Sequence, residues 1–478
     1  MTEQTEKGWQ SYHTVWAMLF IGWVVSYADR ACTGPVVNWM IANKVGFLSA
    51  AANPYALGGL LGSLFFAGYM LTQFPGGYFG DKFGYRTIIV ISIFWAGITT
   101  LFTGLIGGLM VFVALRVLTG LGEGVLYSND RSLVAQVTPP KKLGLGMGVV
   151  MAGLTVGLSA ALVGTIPLIN AGKSVLGQNA WKMPFIVLGI VSIVVAIIMR
   201  IALKPEDKSV PENYMKAIIN LSKYSIVFMI VIMAIYFAAN TIGLSDVMIA
   251  VILSFLAIVF LGYIVVTKGG EVGPVLKDRN LILIYLVHIP LLWHLWFYSF
   301  WGGAIVKDFG GGTLTAALLV ISFNAIAGVI GFPLGGKISD MVSHKPNGRR
   351  NIFIVMLALM TLFIFIFTAY VTTGGKDMVI QSVILFLSGL IYFALCPVGH
   401  ALASENAPAN LRGAAFGTLN LVSEIGAILA PVISGALRGG SGNWGSALIL
   451  DGILMGVACL LVIGIRNKVS SNNGIAAS

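Results

Sequence analysis

Gly76-Gly77-Tyr78-Phe79-Gly80-Asp81-Lys82-Phe83-Gly84-Tyr85-Arg86 has an echo in Gly335-Gly336-Lys337-Ile338-Ser339-Asp340, with Arg349-Arg350 shortly after it. The two aspartates stand 259 residues apart, and Pro139 before Gly144 is matched by Pro408 before Gly413 at an offset of 269. Two loops repeated at nearly one spacing mark an internal duplication, so the chain is read as two equivalent halves. Each copy follows a long apolar run and ends in basic residues.

Working outward, 57% of the 478 residues are hydrophobic and 10% are charged, with a mean hydropathy of +0.91. A soluble domain carries roughly 25% charged residues, so most of this surface faces lipid. Apolar runs near 12–41, 56–79, 87–107, 109–137, 143–169, 182–203, 223–243, 246–267, 280–303, 313–337, 351–373, 378–403, 412–437 and 444–466 approach or exceed the about 20 residues that a helix needs to cross a bilayer. The expectation is an all-α membrane protein with fourteen crossings and both termini on one side. Of the 29 Lys and Arg residues, 20 fall in loops on the side of the termini, Lys7, Lys141, Lys208 and Lys468 among them. Six fall on the opposite side, and Arg30, Arg116 and Arg131 fall within helices. Basic loops stay in the cytoplasm, so both termini are expected there, in a plasma (inner) membrane protein whose first helix is not cleaved.

The expected organisation is a six-helix bundle over 1–203, linkers and a two-helix hairpin over 204–279, and a second six-helix bundle over 280–478. The hairpin carries no interior charge except Asp246 at its turn, which predicts a peripheral, lipid-facing role. The net charge of +11 lacks the basic stripe that nucleic acid demands. Cys32, Cys396 and Cys459 have neither disulfide nor ligand spacing and are read as packing residues, so no metal or cofactor is expected.

Charge inside a spanning helix is costly and marks function by default. Asp29 and Arg30 interrupt the first apolar run. Neighbours on a helix point about 100° apart, so at least one must find a partner elsewhere. Arg116, Glu123 and Asp130 recur at steps of seven, two turns and roughly 10 Å apart on one stripe. Side chains lean toward the helix N-terminus, so Glu123 is expected to lean toward Arg116 while Arg116 leans away from it, which leaves that guanidinium poorly neutralised and free for a carboxylate. Asp130-Arg131 is read as a structural clasp. Glu424 has no basic residue within a turn, and a buried carboxyl of that kind suits a proton site. Asp451 sits nearer the outer face. Asp81 with Arg86, and Asp340 with Arg349, are expected to form a cytoplasmic gate, each carboxylate holding a helix N-terminus of the opposite bundle. His288 and His294 lie in an aromatic helix with Trp293, Trp296, Phe297, Tyr298 and Trp301. Interfacial and core packing explains most of that composition, and Tyr298 is taken as facing the cavity. No nucleotide loop, HExxH motif or nucleophile elbow accompanies these residues, so no enzyme is expected.

Gly77-x-x-x-Asp81-Lys82-x-Gly84-x-Arg86 resembles the signature loop of the major facilitator superfamily, with Gly336-x-x-x-Asp340 as its second-half echo. Tyr27-x-Asp29-Arg30 together with Arg116-x3-Gly120-x-Gly122-Glu123-Gly124 resembles the anion:cation symporter branch, which includes bacterial sugar-acid carriers. The resemblance implies that Arg30 and Arg116 contact a substrate carboxylate and that Asp29 and Glu123 handle protons. It also implies that Asn420, eleven residues before Pro431, faces the substrate, alongside Tyr27. Fourteen helices exceed the family's twelve, and Glu424 stands one turn after Asn420 where a neutral residue is more usual. The fifth helix, Gly153-x3-Gly157-Leu158, lacks the Gly-Pro signature of drug antiporters. The expectation is a monomeric symporter of a small organic anion with protons, working by alternating access. The rivals are a proton-driven exporter of drugs or siderophore-like compounds and an organic-anion exchanger.

Overall fold

A computed structural model describes residues 8–139, 142–204 and 213–466. Lys7, Lys141, Lys208 and Lys468, and with them part of the charge count, lie outside the described residues, as does 205–212 of the expected linker. Every regular element among the described residues is helical. The long helices are α1 (Ser11–Asn43), α2 (Pro54–Phe83), α3 (Tyr85–Leu105), α4 (Leu109–Glu123), α5 (Leu126–Val137), α6 (Leu143–Leu176), α7 (Met183–Ala202), α8 (Tyr214–Thr241) and α9 (Asp246–Lys277). They continue with α10 (Arg279–Gly310), α11 (Leu314–Ile326), α12 (Gly328–Val342), α13 (Gly348–Thr372), α14 (Met378–Asn406), α15 (Arg412–Ser441) and α16 (Gly445–Ile463).

Among the described residues, twelve stretches are long and apolar enough to cross a membrane. One of them, Leu145–Ala202, is 58 residues long and holds both α6 and α7, while α1 with its Asp29 and Arg30 is not among the twelve. Helix starts follow local chemistry. Asn53, Ser245, Asp278, Thr313 and Asp377 each accept a backbone N–H of the following turn, which satisfies donors that the helix itself leaves open.

The repeated loop is tighter than its glycines suggested. Helix α2 runs on to Phe83, Gly84 turns the chain at φ 86°, and α3 begins at Tyr85. The expected 109–137 helix is broken after Glu123, where Gly124 presses on the Tyr69 carbonyl of α2 and has no room for a Cβ. Glycine at 120, 122 and 124 weakens the helix there, so the stripe of charge is carried on two pieces.

The exterior is apolar, with Ile190, Ile197 and Ile201 of α7 exposed, whereas Asp29, Arg30, Arg116, Glu123, Asp130, Glu424 and Asp451 are all buried. A lipid-facing protein needs this inversion, since only its interior offers polar partners. Helix α1 lies along α6, where Gly153 and Gly157 meet the carbonyls of Phe20 and Val24 too closely for a side chain, the small-xxx-small approach of membrane helices. Helix α3 packs on α7 and α2 on α4, while α12 packs on α14 and α13 on α16. Across the seam, α2 runs against α15, α1 against α10, and α6 against α11. Asn38 Nδ2 donates to the Phe300 carbonyl at 3.0 Å, and Trp301 Nε1 donates to the Pro431 carbonyl at 2.7 Å. Ser63 Oγ donates to the Ile428 carbonyl. These bonds close the seam at the end opposite the starts of α1 and α10.

Helix α9 is not merely peripheral. Ile249, Ala250, Leu253 and Ala257 are fully buried, and the helix touches both α2 and α15, whereas α8 touches α2, α3 and α4. The other face of α9 exposes Phe255, Val259 and Val266. Small and branched side chains at helical spacing therefore seat α9 over the seam, a placement its lack of charge did not signal.

Candidate functional site

A cavity of about 100 Å³ opens between the halves. Tyr27 and Arg30 of α1, Tyr69 of α2 and Tyr127 of α5 line it on one side. His288 and Trp296 of α10, Tyr392, Cys396 and His400 of α14, and Asn420, Ser423 and Glu424 of α15 line it on the other. An apolar recess between α3 and α8, lined by Ile91, Phe94, Trp95, Ile98, Thr99 and Ile218, offers no charge and no anion site.

Arg30 is the cation of the cavity. Its Nε donates to Glu123 Oε2 at 2.6 Å and its Nη2 donates to Ser26 Oγ at 3.1 Å. Its Cζ stands 4.2 Å from the Tyr69 ring centre and 4.8 Å from that of Tyr27, faces that attract a guanidinium. Glu123 Oε2 also accepts from Ser26 Oγ at 2.6 Å, while Oε1 is buried with no partner among the described residues. A bound proton would give that oxygen a hydrogen to donate.

The second arginine is placed differently. Arg116 is fully buried and does not line the cavity. Its Nη1 lies 3.4 Å from Asp29 Oδ1, and its Nη2 donates to Thr100, Thr103 and Thr119 at 3.0, 3.3 and 3.3 Å. Thr100 in turn donates to Asp29 Oδ2 at 2.7 Å. The expected approach of Glu123 to Arg116 is thus corrected: both carboxylates bond between α1 and α4 through their side chains, Glu123 to Arg30 and Asp29 to Arg116. Two residues 100° apart on α1 meet opposite charges two turns apart on α4, so cross-helix register decides the pairing. The clasp expected at Asp130 has a partner in α1, where Trp23 Nε1 donates to Asp130 Oδ2 at 2.7 Å.

In the second half, Glu424 Oε1 accepts from Gln73 Nε2 of α2 at 3.2 Å, and Oε2 is buried without a partner among the described residues. Asn420 lies one turn away on the same wall. Tyr298 does not reach the cavity: it packs beside His294 and Phe367, with ring centres 4.7 and 6.1 Å away. Trp296 takes the cavity-facing place and stacks on Tyr27 at 5.9 Å. Two residues turn a helix about 200°, so the pair cannot share a face. His294 Nδ1 lies 2.8 Å from Asp451 Oδ2 inside the second bundle. The sequence reading passed over Tyr69, Tyr127, Tyr392 and His400, whose one available signal was a polar atom inside an apolar helix. Cys396, read as packing, also lines the cavity.

The gate residues sit within their own halves. Asp81 Oδ1 accepts from the Tyr85 hydroxyl at 2.7 Å, and Arg86 Nη2 donates to the Arg200 carbonyl at 2.6 Å. Arg349 pairs with Asp340 at 3.7 Å and with Glu405, and donates to Ser339 at 2.9 Å. In this conformation these bonds do not reach the opposite bundle. A gate biases conformations without touching substrate, so Asp81→Asn should change the transport rate severalfold and leave substrate affinity within about twofold. Paired uptake and binding measurements on one preparation check this, and loss of binding would remove Asp81 from any gate.

A family model described as Major Facilitator Superfamily matches residues 19–431 and 297–477. The chain is 26% identical over 464 residues to a protein of Bacillus subtilis (strain 168) named probable galactarate/D-glucarate transporter, covering 95% of this chain and 92% of that one. It is 24% identical over 478 residues to the D-galactonate transporter of Escherichia coli O6:H1 (strain CFT073), covering 97% and 98%. Among solved structures, a bacterial homolog of the human lysosomal transporter Spinster, inward-facing and occupied, matches with a TM-score of 0.67 at 15% identity over 96% of this chain and 97% of that one. These matches span the two halves, the seam and the cavity between them, and the chain belongs to the Major Facilitator Superfamily of multi-pass membrane transporters.

Proposed function

We propose that this protein carries a small organic carboxylate of the sugar-acid kind, together with protons, by alternating access. The observation that carries the proposal is Arg30: a guanidinium in a cavity between the halves, held by a carboxylate with one oxygen lacking a donor. A guanidinium fork suits a carboxylate, and substrate sites of this superfamily lie between the repeats near the bilayer midplane. Arg30, Tyr27 and Asn420 bind the substrate. Arg116 acts at one remove by fixing Asp29, and Tyr298 by supporting the α10 wall. Glu123, Asp29 and Glu424 are the proton sites. Asp81, Arg86, Asp340 and Arg349 form the gate in the alternate conformation, where the closed end has opened.

The organisation that goes with this reading is a bundle over 1–203, a linker and hairpin over 204–279, and a bundle over 280–478. It has fourteen crossings, counting α1 and treating α6 and α7 as two. Both termini face the cytoplasm, and the protein acts as a monomer in the inner (plasma) membrane, in the anion:cation symporter branch. The names of the relatives support a sugar acid as cargo. Purified protein in liposomes should take up labelled D-galactonate or galactarate above the level of empty liposomes. Uptake no greater than that of empty liposomes for every sugar acid tried would overturn the reading.

A further inference from the structure

Building on the cavity's reading as a carboxylate site, we propose that His288 and His400 form a subsite for the hydroxyl-bearing end of the substrate. The protein then selects a polyhydroxy monocarboxylate over the matching dicarboxylate. His288 is 4% exposed, and its Nδ1 lies 2.7 Å from the Ile284 carbonyl one turn back. A carbonyl only accepts, so Nδ1 carries the hydrogen and Nε2 of the neutral ring is a bare acceptor. That Nε2 is buried with no partner among the described residues. Gly399 of α14 packs against that edge of the ring, where a Cβ would come within 3.1 Å of Nε2. The His288 and His400 rings are nearly parallel, with centres 5.9 Å apart and planes at 8°, and both line the cavity.

A bare imidazole nitrogen accepts from a hydroxyl, whereas a carboxylate oxygen brings it only lone pairs. Charge argues the same way. Arg30 is the one Lys or Arg among the cavity-lining residues, and it is already shared with Glu123. Arg131 pairs with Asp130 and is not among the lining side chains. Glu424 adds an acidic group to the His-bearing half. The next cation among the described residues, Arg131, stands 5.2 Å from the ring of the lining Tyr127 but is paired with Asp130, so a second carboxylate would lie against acceptors with no unshared cation to meet it. Sites built to bond a substrate hydroxyl reject analogues lacking it strongly.

Binding to the purified full-length protein is measured by calorimetry for D-galactonate, D-gluconate, their diacids galactarate and D-glucarate, and hexanoate. At least one aldonate should bind tenfold or more tighter than its diacid and than hexanoate. His288→Ala, and independently Gly399→Ala, which sets a methyl group against Nε2 and keeps the imidazole, should shrink the aldonate-to-hexanoate ratio at least fivefold. A diacid that binds as tightly as its aldonate, or an unchanged ratio in both variants, overturns the subsite. If none of these carboxylates binds the unaltered protein, the carboxylate reading itself fails and the subsite with it.

Discussion

Arg30→Ala should weaken substrate binding by well over tenfold, and Arg30→Lys should do nearly as much damage. Breaking a buried, charge-assisted contact costs roughly 2–5 kcal/mol. Part of that loss in the alanine variant comes from stranding Glu123, which is why the lysine variant matters. Lysine keeps a positive charge within reach of Glu123 but presents a point charge, whereas Arg30 holds Glu123 through Nε and Ser26 through Nη2 with a planar fork that one ammonium cannot copy. Equilibrium binding of one carboxylate to all three proteins checks the claim. Wild-type affinity in Arg30→Ala would remove Arg30 from the substrate site, and full rescue by Lys would show that charge alone is being read.

Glu123→Gln should separate binding from coupling. Glu123 holds the Arg30 guanidinium, the proposed carboxylate site, through a 2.6 Å bond to Nε. In the proposed mechanism a proton on Glu123 weakens that hold, so protonation and anion binding would favour one another, and linkage makes such an effect reciprocal. Glutamine mimics the protonated state permanently. The variant should bind substrate and exchange labelled for unlabelled substrate across the membrane. Its accumulation under a proton gradient should collapse to the level set by the substrate gradient alone, because no proton is released on the far side. The same pair of assays on Asp29→Asn and Glu424→Gln ranks the three carboxyls. Full gradient-driven accumulation in Glu123→Gln would make Glu123 structural and pass the coupling role to one of the others.

Much of the fold could be read from local chemistry. Apolar runs, the duplicated Asp81 and Asp340 loops, and charges embedded in helices each report on their own surroundings. The same signal picked out Arg30, Glu123 and Glu424, because a charge inside an apolar run is visible without a structure. Pairing was not visible. Whether Glu123 meets Arg116 or Arg30 depends on the register of α1 against α4, two helices about 90 residues apart in sequence. The break after Glu123 depended on Gly124 meeting the Tyr69 carbonyl, a contact with α2. Tyr298 and Trp296 differ by two positions on one aromatic helix, and composition cannot say which faces inward. His400 and Tyr69 look like ordinary packing residues until another helix places an arginine or a second imidazole beside them. The seat of α9 over the seam likewise follows from shape, for which an uncharged apolar helix carries no letter-by-letter signal.

Proton movement itself tests the central claim most directly. Liposomes holding the purified protein and a pH-sensitive dye are given an impermeant sugar acid from outside, with no pH gradient imposed. Inward symport predicts that substrate entry acidifies the lumen, that Arg30→Ala abolishes both entry and acidification, and that Glu123→Gln exchanges substrate with no pH change. Substrate entry at the wild-type rate with a constant internal pH would contradict proton coupling.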